Sequence, residues 1–233
     1  MTPLVLLPGM MCDARLFGPQ IAAFSGTRTL HCAPITGQAS IEALAISVLE
    51  HAPPRFALAG LSMGGIVAME VIRKAPDRVA GLALLDTNPC PELETVKAKR
   101  EPQIEKVLSG HLRSVVRNEL KPNYLASGPR RREILDLCMT MAVDLGPEVF
   151  VRQSRALQTR PDQRASLQAV KVPTLILMGA DDRLCPIERH ELMHKLIDGS
   201  RLVIIEGAGH LPTLERPEEV SAALTHWLGM IDR

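Results

Sequence analysis

Gly60-Leu61-Ser62-Met63-Gly64 stands between two stretches of different periodicity. Before it runs Phe56-Ala57-Leu58-Ala59, a short continuous apolar segment of the kind that forms a strand covered on both faces. After it, from about Gly65 to Lys74, apolar residues recur at helical spacing. A serine between glycines at a strand-to-helix junction has a mechanical meaning. The chain turns so sharply that strand and helix nearly touch, only small residues fit beside the turn, and the hydroxyl projects beyond the sheet. The amide of Met63 faces the same space. Alone, the pentapeptide is a loose pattern, compatible with a small residue filling a tight turn, so its neighbours must decide.

Upstream, Leu4-Val5-Leu6-Leu7 is another continuous apolar run, ending in Pro8-Gly9. Thr29 to Ala33 is a weaker strand pattern closed by Pro34. Ser40 reads as an N-cap, followed by Ile41, Leu44, Ala45, Val48 and Leu49 on one helix face, with Pro53-Pro54 as the stop. Downstream, Val79 to Leu85 is a strand that ends at Asp86-Thr87-Asn88-Pro89. The order β, β, α, β, α, β has connections long enough for parallel crossovers. From Cys90 to Gln168 strand runs disappear. Charged helical patterns replace them, one carrying Leu108, Leu112, Val115 and Val116 and another Ile134, Leu137, Cys138 and Met141, punctuated by Pro122, Gly128-Pro129 and Gly146-Pro147. Strands return at Val172 to Met178 and Arg201 to Ile205. Pro186 opens the helix between them, and Pro217 opens a last helix that buries Val220, Ala223, Leu224, Trp227 and Leu228. This pattern predicts an α/β core of residues 1–89 and 169–233 with a helical insertion at 90–168.

Bulk properties narrow the classes. The chain has 233 residues, 46% hydrophobic and 23% charged, with a formal net charge of +1. That balance points to no nucleic acid and no membrane as partner. No apolar run reaches spanning length, and the apolar start, Met1 to Pro8, lacks a basic segment, so it reads as a buried strand and not a signal peptide. Five scattered cysteines show no metal-binding spacing and fit reduced thiols in a cytoplasmic protein. Residues 91–165 hold 14 Lys and Arg against 10 Asp and Glu. The simpler explanation is solvated helix faces; the functional one is a weakly cationic entrance for anionic substrates or an acidic carrier protein.

A serine hydroxyl is a poor nucleophile unless a base sits at hydrogen-bond distance and a further group orients that base. In open α/β sheets such groups lie in loops at the carboxyl ends of strands. Two later strands run into suitable loops: Gly179-Ala180-Asp181-Asp182-Arg183-Leu184-Cys185-Pro186 and Glu206-Gly207-Ala208-Gly209-His210-Leu211-Pro212. With Leu7-Pro8-Gly9-Met10-Met11 and Gly60 to Gly65, these segments make the chain resemble the α/β-hydrolase fold superfamily, in particular its compact carboxylesterases, enol-lactonases and pimeloyl-ester hydrolases. The resemblance covers nearly the whole chain and is far more specific for fold than for substrate.

It implies an α/β-hydrolase fold with a trimmed, mostly parallel sheet of about six strands flanked by helices, and a cap formed by the insertion. It implies Ser62 as nucleophile and His210 as general base and then acid. The spacing of Gly179, Asp182 and Pro186 matches the family's acid loop and points to Asp182, with Asp181 and Asp86 as alternatives. The backbone amides of Met10 and Met63 would form the oxyanion hole. Many members carry His-Gly where this chain has Pro8-Gly9, which removes a side chain that often braces the loop. Met11, with Met10 and Met63, would line an adaptable apolar acyl pocket, core filling being the plain alternative. The expectation is a serine hydrolase of a small carboxylic ester or thioester, without metal or organic cofactor. A lyase or C–C bond hydrolase on the same scaffold and a non-enzymatic ligand receptor are the rivals. An aspartate-nucleophile enzyme is disfavoured because the turn carries Ser62.

Overall fold

The computed structural model describes all 233 residues. Six strands, β1 (Leu4–Leu7), β2 (Leu30–Cys32), β3 (Phe56–Leu61), β4 (Val79–Leu85), β5 (Thr174–Gly179) and β6 (Arg201–Ile205), form one sheet in the order β2-β1-β3-β4-β5-β6. Every pairing is parallel, in agreement with the expected trimmed sheet. The chain leaves β1 for β2 on one side and comes back to β3 on the other. That reversal opens a crevice beyond the carboxyl ends of β1 and β3, where an open parallel sheet places its ligand.

Ten α-helices and five short 3-10 or π segments complete the chain; the α-helices are α1 (Gly18–Phe24), α2 (Ile41–His51), α3 (Met63–Lys74), α4 (Glu94–Lys106), α5 (Leu112–Val115), α6 (Arg131–Gln158), α7 (Arg164–Gln168), α8 (Ile187–Leu196), α9 (Pro212–Glu215) and α10 (Pro217–Ile231). The continuous apolar runs follow from cover on both faces. Val5, Leu7, Phe56, Leu58, Leu82, Leu84 and Ile176 pack into one core with α2, α3, α7 and α8. Their alternates Leu4, Leu6, Ala57, Ala59, Ala83, Leu85, Leu175 and Leu177 pack into the other, against α1, α9 and α10. Period-2 alternation puts both sets in apolar surroundings, so neither face requires polar residues.

One helix is not legible in the periodicity. Along α1 the inward stripe is interrupted by Gln20, which is fully buried and donates from Nε2 to the Thr213 carbonyl at 3.1 Å. A polar residue on the buried face hides the apolar stripe. The expected signals hold elsewhere: Ser40 Oγ accepts from the Ala43 amide at 3.2 Å as N-cap of α2, and Pro217 opens α10.

The stretch between β4 and β5 builds a separate apolar cluster from Ile104, Val107, Val115, Val116, Met139 and Phe150. Within α6 the helical path breaks at Gly146 (φ 81°, ψ 175°), immediately before Pro147. The segment ties to loops at the carboxyl end of the sheet. Gln153 Oε1 accepts from the Met11 amide at 2.8 Å, and the Tyr124 carbonyl accepts from the His210 amide at 2.7 Å. No helix is long and apolar enough to cross a membrane.

Candidate active site

Ser62 lies between β3 and α3 with φ 54° and ψ −116°, a conformation that an L-residue enters only under strain. The turn is fixed from several sides. The Ser62 amide donates to the Leu85 carbonyl at 2.9 Å, and Thr87 Oγ1 donates to the Ser62 carbonyl at 2.7 Å. Close passage of strand and helix explains the two motif glycines. A Cβ at Gly60 would lie 2.3 Å from the Gly64 carbonyl oxygen, and one at Gly64 would lie 2.1 Å from the Leu7 carbonyl oxygen.

Three loops far apart in sequence meet at this turn. His210 Nε2 is 2.9 Å from Ser62 Oγ, and His210 Nδ1 is 2.9 Å from Asp182 Oδ2. A carboxylate opposite Nδ1 selects the tautomer with its proton there, which leaves Nε2 to accept from the serine hydroxyl. The other Asp182 oxygen, Oδ1, accepts from the amides of Leu184 at 2.8 Å and Cys185 at 3.1 Å. Burial pushes the Asp182 carboxyl up, but the facing imidazole and the two amides outweigh it and hold it below the usual range. The loops are brought together by a further close contact: a Cβ at Gly179 would lie 2.0 Å from the Gly209 carbonyl oxygen.

The two alternative acids are placed differently. Asp181 is exposed, and its amide donates to the Ala208 carbonyl at 2.9 Å. Asp86 is fully buried at φ 43°. Its Oδ1 accepts from the Gly179 amide at 2.9 Å, and its Oδ2 has no partner other than the neighbouring Asp182 carboxyl. Burial and then the Asp182 charge push the Asp86 carboxyl well above the usual range.

The Met63 amide is the first of α3 and points beyond the helix end, where backbone N–H groups lack intrahelical partners. In the loop after β1, Met11 and Cys12 use their amides on Gln153 and Gly9, whereas the Met10 amide bonds to no protein group. Gln153 is fully buried and donates from Nε2 to the Ile35 carbonyl at 3.0 Å. It supplies the brace that Pro8 cannot. Met11 itself, expected to touch substrate, does not line the cleft. Its strained backbone (φ 55°) seats the side chain in the apolar cluster of α4–α6, where it is 2% exposed.

Ser62, His210, Met10 and Met63 open onto a cleft of about 430 Å³, a volume suited to a small organic ligand. Ile66, Leu93, Leu157 and Leu184 give it apolar walls. Sequence reasoning missed two supporting residues. Glu215 accepts from the amides of Gly209 at 3.0 Å and Leu211 at 3.1 Å, on either side of His210, and from that of Ala126 at 2.8 Å. Burial raises its carboxyl despite those amides. An acid five positions after His210 and just before Pro217 was the available signal. His190 is fully buried; its Nε2 accepts from the Thr87 amide at 3.3 Å, and its Nδ1 lies 3.3 Å from the Pro186 carbonyl. No motif in the surrounding sequence sets His190 apart from the chain's other histidines.

Asp182, Cys185 and His210 present metal-type ligand atoms within 4.8 Å of one another. Two of the three are already bonded to each other, and burial pushes the Cys185 thiol well up, so the group is poorly suited to hold a cation.

A profile of the alpha/beta hydrolase family matches residues 4–223. Among curated relatives, a pimeloyl-[acyl-carrier protein] methyl ester esterase of Edwardsiella ictaluri is 26% identical, over 95% of this chain and 91% of its own. A thermophilic esterase from Thermogutta terrifontis, solved with malate bound, superposes with a TM-score of 0.90 at 30% identity, covering 99% of this chain and 90% of its own. The enol-lactonase of Burkholderia xenovorans LB400 shares the fold with a TM-score of 0.86 at 21% identity, over 98% of this chain and 92% of its own.

Proposed function

The chain belongs to the alpha/beta hydrolase family, and we propose that it is a serine hydrolase cleaving a carboxylic ester or thioester through an acyl-enzyme. The observation that carries this is the unbroken chain of contacts from Ser62 Oγ through the His210 ring to Asp182, each 2.9 Å. As Ser62 Oγ attacks the substrate carbonyl, His210 Nε2 takes its proton, and the Asp182 carboxylate stabilises the imidazolium. Negative charge developing on the carbonyl oxygen is met by the amides of Met10 and Met63. Donors already aimed at developing charge in a dry site lower a barrier strongly, because nothing has to reorient as the charge appears. The imidazolium then protonates the leaving alcohol or thiol. Water, deprotonated by the same nitrogen, releases the acyl group.

The bond type draws support from the relatives. The Edwardsiella protein is named a methyl ester esterase and the Thermogutta protein an esterase. In this reading residues 90–168 act as the cap over the cleft. An acyl group delivered on a carrier protein, as the Edwardsiella enzyme's name describes, is the partner to test first. The five free cysteines fit a cytoplasmic setting.

Ser62→Ala should lower kcat on 4-nitrophenyl butyrate by about 10⁴-fold or more, because the acyl-enzyme cannot form. Turnover by that variant at the wild-type rate would remove Ser62 from the mechanism.

A further inference from the structure

The cleft that holds Ser62 is lined by four cationic side chains, Lys99, Arg100, Arg160 and Arg189, against the single carboxylate of Glu92. Arg100 grips Glu92 with two donors, Nε on Oε2 and Nη2 on Oε1, the second at 2.9 Å. Arg160 reaches the same carboxylate only at 3.4 Å through Nη1, and spends Nε on the Cys90 carbonyl at 3.0 Å. These side chains are nearly dry: Arg100 is 10% exposed, Arg160 11% and Glu92 3%. Two guanidinium groups on one carboxylate leave a buried excess positive charge. Such a charge is unfavourable unless something pairs with it, and burial accordingly pushes the Arg160 guanidinium down. Arg189 makes no ion pair; one of its terminal nitrogens lies 3.2 Å from Cys90 Sγ. Lys99 makes none either, and both open onto the same cleft.

We propose that Arg160, Arg189 and Lys99 form an anion subsite within the cleft, and that the preferred substrate is an ester bearing a carboxylate away from the scissile bond. The proposal rests on the serine-hydrolase reading and adds the charge of the substrate to it. A neutral ester leaves the excess charge unpaired. A carboxylate-bearing one brings the missing partner to the largely buried Arg160, with the half-buried Arg189 and the exposed Lys99 beside it and Met10, Ile66, Leu157 and Leu184 along its hydrocarbon part. Arginine suits the task because its planar fork accepts a carboxylate with two parallel hydrogen bonds. The Arg100–Glu92 pair holds the neighbouring wall in place.

The carboxylate could lie on the acyl side or on the leaving group, so two matched pairs of substrates are needed. The acyl pair is 4-nitrophenyl hydrogen adipate and the neutral 4-nitrophenyl adipamate. The leaving-group pair is the butyrate esters of 4-hydroxyphenylacetate and 4-hydroxyphenylacetamide. We expect kcat/KM to favour the anionic member at least tenfold in one pair, which identifies the side. That preference should fall severalfold in Arg189→Gln and toward unity in Arg160→Gln. Adipate itself should raise the Tm of the wild-type protein and raise that of Arg189→Gln less, a readout that needs no turnover. Ratios near one in both pairs, or a preference untouched in both variants, would overturn the subsite. So would the absence of any Tm response to adipate if neither ester is turned over. Failure of all four esters together with a wild-type Tm response that Arg189→Gln weakens would instead overturn the hydrolase reading and leave the subsite standing.

Discussion

Asp86 and Asp182 place two carboxyl groups in one buried pocket, and they have been driven in opposite directions. Asp182 faces an imidazole and two amides and is held below the usual range, whereas Asp86 faces burial and the Asp182 charge and is pushed well above it. Asp86→Asn keeps an acceptor for the Gly179 amide and a donor for Asp182, so ester turnover should stay within about tenfold of wild type. Asp182→Asn should lose about 10⁴-fold, because the histidine is then held in the wrong tautomer. The native state holds the Asp86 proton that the unfolded chain releases above about pH 4, so this group's stabilisation is lost as pH rises toward its raised native value. Stability measured against pH should show Asp86→Asn gaining on wild type between pH 4 and neutrality. An equal effect of the substitution at both ends would show that Asp86 is ionised. His190 has the opposite sign. Burial lowers it to about 4, so the unfolded chain takes up a proton near pH 6.5 before the native state does. Its contribution, up to about 3 kcal/mol, is present above pH 6.5 and is lost as pH falls through about 4. Denaturation midpoints over pH 7 to 4 should fall less steeply in His190→Gln, and parallel slopes would refute the assignment.

Among the elements, α6 and α9 carry constraints that can be tested directly. Gly146 breaks α6 at φ 81° and ψ 175°, a region that only glycine enters freely. Gly146→Ala should cost about 1–3 kcal/mol, lowering Tm by several degrees. An unchanged Tm would mean the break is not imposed by the fold. Glu215, at the end of α9, holds the amides on both sides of His210 and one in the segment from Tyr124 to Ala126. Removing it strands three donors, and unmet buried donors cost about 1–3 kcal/mol each. Glu215→Ala should therefore lower both Tm and kcat while leaving KM comparatively intact, since it displaces the base rather than the pocket; a rise in KM alone would contradict this. Legibility of elements followed cover. The strands were readable because both faces of the sheet are buried, which gives unbroken apolar runs such as Phe56 to Leu61. The helix α1 was not, because Gln20 interrupts its buried face. Gly60, Gly64 and Gly179 pointed to the site because each marks a place where two backbones nearly touch.

For the molecule as a whole, the sheet's reversal between β1 and β3 puts the free amide of Met10 and the strained serine side by side, and the loops after β5 and β6 bring Asp182 and His210 to them. That much followed from motif order along the sequence. Met11 was misplaced because a strained backbone directs its side chain into the cluster above the sheet. The Arg100–Glu92–Arg160 group was invisible because its members are separated by up to 68 positions, counted from Glu92 to Arg160, and meet only when the stretch between β4 and β5 folds; in sequence they resemble solvated charges on helix faces. Reactivity of Ser62 depends on convergence of the three loops around it. Labelling with a fluorophosphonate followed by peptide mass spectrometry measures that most directly. The adduct should sit on Ser62 alone in the wild-type protein and form at least 10³-fold more slowly in His210→Ala. An adduct on another residue, or an undiminished rate without the imidazole, would contradict the convergence on which the mechanism depends.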